Sequence, residues 1–228
     1  METVEYAPGR LVDLFGEPEQ QTVLLWHGRQ ADARTVNRPL ADLLASHSLA
    51  VVVPDWNSHA DDGGRADLLR SVHFATDRGD STNGLVLVGW SLGGVAAAGL
   101  TIHAPRLNVR VAQTVCLAGA FTARDPISGE RLGTELPSGR DRSPFVLLHG
   151  VADDVVPVAV SRAFTAALKQ NGWSVELVEL ATDHGAIAGA TYDSAADRYS
   201  PAHGAGTLAV ATEVAALIAA VLQRRTAP

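Results

Sequence analysis

The segment Gly89-Trp90-Ser91-Leu92-Gly93-Gly94 sets a serine between glycines on both sides, directly after the apolar run Leu85–Val88. A strand that turns this tightly into a helix projects the serine Oγ above the sheet and leaves no room for side chains beside it, which is why the flanking positions are glycine. A serine capping a helix between small residues is the bland alternative; a strand before and a helix after favour a nucleophile. An attacking serine needs a histidine to take its proton, and that histidine needs a carboxylate to fix its tautomer and stabilise the imidazolium. Two carboxylates follow the run Phe145–Leu148, in His149-Gly150-Val151-Ala152-Asp153-Asp154-Val155-Val156-Pro157. Either Asp153 or Asp154 can serve; the bland alternative is that both cap the helix expected near Pro157. The base is placed in Thr182-Asp183-His184-Gly185, after the run Val175–Leu180.

The chain has eight histidines. His47, His73 and His103 fall on helical stretches and read as surface or packing residues. His59 lies near Asp61 and Asp62, but no second histidine stands at metal-ligand spacing. His203, upstream of the last helix, is the rival to His184. Ester or amide cleavage builds negative charge on the carbonyl oxygen, which backbone N–H groups stabilise by several kcal/mol. The residue after the nucleophile, Leu92, offers one such N–H. The segment Trp26-His27-Gly28-Arg29-Gln30, after the strand Val23–Leu25, offers the second through Arg29, with His27 fixing the turn. Cys116 lies inside the apolar run Val109–Leu117 and reads as a buried small residue.

The elements that must position these residues alternate. Strands at Val23–Trp26, Ala50–Val53, Leu85–Val88, Val109–Leu117, Phe145–Leu148 and Val175–Leu180 alternate with helical stretches near 32–46, 65–76, 93–103, 157–170 and 208–222. Strands apolar at every position are buried on both faces, the mark of parallel sheets with helices on each side. Leu11–Phe15 alternates and reads as an antiparallel edge strand. The expected architecture is α/β, a three-layer α/β/α sandwich with a mainly parallel sheet, in one domain over residues 1–228. The interval Gly119–Ser143 is too long for an ordinary connection and reads as a short lid or mobile loop. Tyr192 and Tyr199 either line the pocket or cover the sheet's end.

Composition narrows the partners. Basic residues number 18 against 25 acidic ones, a net charge of −7 without a basic cluster, so neither nucleic acid nor an anionic membrane is an expected partner. Hydrophobic residues at 46% against 19% charged exclude wholesale disorder, and one cysteine excludes a disulfide framework or a thiolate zinc cluster. The start, Met1-Glu2-Thr3-Val4-Glu5, has no basic and apolar secretory pattern, so a soluble, cytoplasmic protein is expected. The apolar stretch Leu208–Leu222 is interrupted by Thr212 and Glu213. Oligomeric state is not readable.

At these four segments the chain resembles the α/β-hydrolase family, and within it the small carboxylesterase and dienelactone-hydrolase-like members. The resemblance spans about Leu11 to Leu222 and includes the chain order Ser91, Asp153 or Asp154, His184. It selects Asp153, the fourth residue after the strand-end His149, as the acid. It departs from the family in lacking the His-Gly-Gly-Gly oxyanion pattern, in having serine where true dienelactone hydrolases have cysteine, and in showing no inserted helical cap. The resemblance implies a serine hydrolase of small carboxylic esters or thioesters acting through an acyl-Ser91 intermediate, needing no cofactor and no metal. An amidase or peptidase uses the same constellation, and a non-catalytic binding protein can keep the fold. A dinucleotide-binding oxidoreductase is disfavoured because the turn reads G-x-S-x-G-G rather than G-x-G-x-x-G. Few large apolar residues stand in 119–143 and 185–203, so acyl chains of about two to six carbons are expected.

Overall fold

In a computed structural model, which describes residues 1–78, 84–133, 136–139 and 142–226, the apolar runs become neighbouring strands of one sheet. The strands are β1 (Glu2–Ala7), β2 (Arg10–Phe15), β3 (Gln21–Trp26), β4 (Leu49–Pro54), β5 (Leu85–Trp90), β6 (Val111–Leu117), β7 (Phe145–Gly150) and β8 (Val175–Leu180). They lie in the order β1-β2-β4-β3-β5-β6-β7-β8. From β4 to β8 all pairings are parallel; β1–β2 and β2–β4 are antiparallel.

The uniform apolarity of the central strands has a direct cause. Val23, Leu25, Val51, Val53, Val86 and Val88 pack on one face with α1 (Arg38–Ser46) and α5 (Ala205–Thr226). Leu24, Trp26, Val52, Leu85 and Leu87 point the other way, to α2 (Arg65–Arg78) and α3 (Leu92–Leu107). Further along that second face, Cys116, Phe145 and Leu147 meet α3 and α4 (Ala159–Gln170). The expected mainly parallel three-layer sandwich is the one observed.

Three local expectations need correction. The edge is β1, not β2: Val12 and Leu14 of β2 are buried between two partners. The polar pattern of Glu2–Ala7 hides a strand that covers the sheet's rim through partly buried Val4 and Tyr6. Helix α3 runs past His103 to Leu107 with Pro105 inside it, and α5 starts earlier, at Ala205. The stretch after His184 contains a hairpin, β9 (Ala190–Asp193) and β10 (Arg198–Pro201), where no strand was expected.

The part of Gly119–Ser143 that is described through Gly133 makes core contacts. Phe121 stacks on Phe164 of α4 with ring centres 3.9 Å apart, and Arg65 Nε donates to the Ile127 carbonyl at 2.8 Å. Thr134, Glu135, Arg140 and Asp141 of the expected lid lie outside the described residues.

After β3 the chain moves outward to β4, then crosses back to place β5 on the other side of β3. This reversal lies at the carboxyl ends of β3 and β5, the place where ligands of open α/β sheets bind.

Candidate active site

Ser91 stands at that point, at the junction of β5 and α3, with φ 56° and ψ −116°. A non-glycine residue in this region carries strain of roughly 1–3 kcal/mol. Its own backbone bonds hold it there: the N–H donates to the Leu117 carbonyl at 2.9 Å, and the carbonyl accepts from Gly94 at 3.1 Å and from Ala120 at 3.1 Å. Any Cβ at Gly89 would overlap the Gly93 backbone, and one at Gly93 would overlap the carbonyls ending β3. The elbow therefore needs both glycines for backbone contact.

The turn after β3 presses on the same point. A Cβ at Gly28 would sit 3.2 Å from the Ser91 Cβ. His27 is fully buried and stacked on Trp56, with ring centres 5.2 Å apart. Its Nε2 accepts the N–H groups of Ala33 and Trp56, both at 3.3 Å, so the proton sits on Nδ1 and is donated to the Gly28 carbonyl at 2.8 Å. Burial pushes its pKa down to about 4, against the smaller opposing effect of the backbone hydrogen bonds. His27 is thus a neutral fastener of the turn. Arg29 is exposed at its tip, and Leu92 opens α3, where helix N–H groups have no intrahelical partner. Among the described residues, neither the Arg29 nor the Leu92 N–H has an acceptor.

The two aspartates after β7 differ in direction. Asp153 turns inward: Oδ1 accepts the N–H groups of Val155 at 2.9 Å and Val156 at 2.7 Å, while Oδ2 accepts His184 Nδ1–H at 2.7 Å. Asp154 is exposed and has no hydrogen bond to a histidine among the described residues. Burial of Asp153 favours its protonated form, but hydrogen bonds from His149, His184 and the Val156 N–H together hold it well below the usual carboxylate range.

His184 is buried, its carbonyl accepts Trp90 Nε1–H at 2.8 Å, and its ring lies 5.4 Å from that of Trp90, the residue before Ser91. Asp183 fixes the following turn by accepting the N–H groups of Gly185 and Ala186 at 2.9 and 2.8 Å. With Nδ1 committed to Asp153, Nε2 of His184 is open, as is Ser91 Oγ; among the described residues neither makes a hydrogen bond. Such contacts are often loose without substrate and tighten in the complex. His203 is exposed before α5, and His47, His59 and His73 are exposed elsewhere. Cys116 is buried against the Gly94 carbonyl, and burial pushes its thiol pKa up.

Two residues that contact this cluster escape sequence reading. His149 marks only a strand end there, yet its Nε2 lies 2.8 Å from the Val156 carbonyl and 3.3 Å from Asp153 Oδ2. That carbonyl fixes the proton on Nε2, so Nδ1 accepts from Ser161 Oγ of α4 at 2.7 Å. Gln30 ties the turn after β3 to β10, accepting the Tyr199 N–H at 2.9 Å. The i, i+4 spacing of His149 and Asp153 around a turn is the only sequence signal for the first; the second has none.

No protein-family model matches the chain, and no curated protein matches it in sequence. Solved structures match it in shape. An esterase from the planctomycete Thermogutta terrifontis, with propionate bound, gives a TM-score of 0.75 at 17% identity over 100% of this chain and 96% of that one. The apo form of esterase 2 from that organism gives 0.72 at 19% identity, and its form phosphoramylated by tabun 0.72 at 20%, each with the same coverage. Identity this low carries shape alone; with the sheet order and the elbow at β5, it gives this chain the α/β-hydrolase fold.

Proposed function

We propose that the chain is a serine hydrolase of short-chain carboxylic esters or thioesters. The observation that carries this reading is the buried Asp153–His184 hydrogen bond, at 2.7 Å, with the His184 ring 5.4 Å from that of Trp90, the residue before the strained elbow Ser91. In the proposed cycle, His184 Nε2 takes the Ser91 proton as Oγ attacks the acyl carbon. The N–H groups of Leu92 and Arg29 receive the developing oxyanion. Asp153 keeps the His184 proton on Nδ1 and stabilises the imidazolium, which then protonates the leaving oxygen. Water, deprotonated by His184, releases the acid from acyl-Ser91 and restores the serine.

The structural neighbours support both halves of the reading. They are esterases; one is described with propionate and another with butyrate bound, and others are phosphonylated by sarin or phosphorylated by paraoxon. Short acids fit the expectation of an acyl site for about two to six carbons. The test is mass spectrometry after a fluorophosphonate probe, followed by p-nitrophenyl esters from acetate to dodecanoate. The reading requires the adduct on Ser91 and kcat/KM highest at short chains. An unmodified Ser91 refutes the nucleophile, and a steady rise to dodecanoate refutes the short-chain site.

A further inference from the structure

A cavity of about 650 Å³ opens beside His184, between the loop that carries Asp153 and the hairpin β9–β10. His184 lines it and Ser91 does not, which sets the cavity on the base's side of the elbow. In acyl transfer the group next to the base is the leaving oxygen, which collects the proton. A cavity on the base's side is where the group attached to that oxygen has room to lie.

The walls describe the occupant. Tyr199 stands with its ring 5.9 Å from His184 and edge-on to Trp90 at 4.9 Å, and Tyr192 lies 5.2 Å from Tyr199. Val155 faces the space from the opposite loop. Few large apolar side chains are exposed among the described residues, and Tyr192 at 49% and Val155 at 56% are two of them. A third, Val151, is on the same loop as Val155. Tyr192 and Val155, facing one cavity, give a ligand an apolar wall. The rim also carries Asp154 and Asp183, and among the described residues no lysine or arginine lines the cavity. Burial, then the charges of Asp153, Asp154 and Asp183, push the Tyr199 hydroxyl up to about 12, so the field here opposes negative charge.

We propose that this cavity is the leaving-group subsite and that it takes an uncharged alcohol with a flat apolar body, such as an aryl-methanol, while rejecting an anionic one. The proposal rests on the ester-hydrolase reading and adds the alcohol side to it.

The experiment compares kcat/KM for benzyl acetate, ethyl acetate and 4-carboxybenzyl acetate, whose alcohols are similarly poor leaving groups, so that differences report binding. Partial burial of one ring predicts a benzyl-over-ethyl preference of about tenfold. The carboxylate should abolish most of it. Tyr192→Ser and Val155→Ser should each cut the preference by roughly threefold or more, whereas Leu11→Ser, an exposed apolar position on β2, should not change it. Binding of benzyl alcohol to the Ser91→Ala protein, followed by tryptophan fluorescence, gives a readout free of turnover, and Tyr192→Ser should weaken it. Equal rates for benzyl and ethyl esters, or a preference untouched by both substitutions, overturn the subsite while leaving the hydrolase in place. Hydrolysis of none of the esters, including p-nitrophenyl acetate, overturns the hydrolase and the leaving-group role with it.

Discussion

Acid should loosen this protein through one histidine that has no role in proton transfer. His27 is fully buried, and its pKa falls from the ordinary 6.5 to about 4. The fold holds it neutral because both ring nitrogens are committed: Nε2 accepts two N–H groups and cannot take a proton without losing them. Between these values the unfolded chain binds a proton that the folded chain does not, so stability falls as pH drops. The contribution is intact above about pH 6.5, declines through pH 5, and is fully lost below about pH 4. With about 1.4 kcal/mol per pKa unit, the loss at pH 4.5 is about 2–3 kcal/mol. Asp55 and Asp125, raised by burial, act oppositely, since they gain protons first in the folded chain. Their effect cancels when wild type is compared with His27→Gln, whose amide can accept and donate in the same directions without titrating. Urea unfolding at pH 7.5 and 4.5 should show the wild type losing about 2–3 kcal/mol more than the variant. Parallel losses would refute the argument and place the acid sensitivity elsewhere.

Ser91→Ala should lower kcat about 10⁶-fold with an unchanged melting curve, whereas Gly93→Ala should also unfold the chain, because its Cβ meets the end of β3; activity and thermal melts separate the two. Asp153→Asn should cost several decades in kcat and Asp154→Asn at most about tenfold, and the opposite ranking in steady-state kinetics would transfer the acid role. His149→Gln should lower kcat by roughly tenfold with little change in KM, since a donor to a charged oxygen is lost or displaced; an unchanged kcat would leave His149 with packing alone. His184→Ala should be inactive and His203→Ala active against p-nitrophenyl acetate, and the reverse would mean that the turn after β8 is not the base.

How much of this could be read from sequence follows from what each residue is buried against. The central strands are legible because Val23–Trp26 and Leu85–Val88 are covered on both faces and admit no polar residue. The rim strand β1 is not, because Glu2, Thr3 and Glu5 are exposed and Val4 and Tyr6 pack only partly buried against the core. The hairpin β9–β10 is hidden for another reason: its four-residue strands pair only with each other, so no buried alternation marks them. The positions of the elbow serine and of the candidate base His184 are fixed by local geometry, the glycines and the strand ends, which a sequence displays directly. Local pattern does not separate Asp153 from Asp154. The turn does, by aiming the Val155 and Val156 N–H groups at Asp153 and so facing its other oxygen toward His184.

The antiparallel strands that look peripheral are structurally part of the site's support. Asp13 of β2 is fully buried and accepts Arg34 Nε at 3.1 Å and Arg38 Nε at 2.7 Å. Arg34 also pairs with Asp55, the residue after β4, whose carboxylate takes the Arg34 N–H at 3.0 Å. Tyr6 of β1 closes the group by donating to the Asp55 carbonyl at 2.6 Å. Arg34 follows directly on Ala33, whose N–H is held by His27, and Asp55 precedes Trp56, whose N–H His27 also holds. The ion-pair group and the histidine therefore grip the same two segments. Removing one partner of a buried pair leaves an uncompensated charge and costs about 3–5 kcal/mol, far more than the pair contributes net. A network that is expensive to break yet weakly stabilising fits a task of fixing geometry. Here the geometry fixed is the turn that carries Gly28 against Ser91.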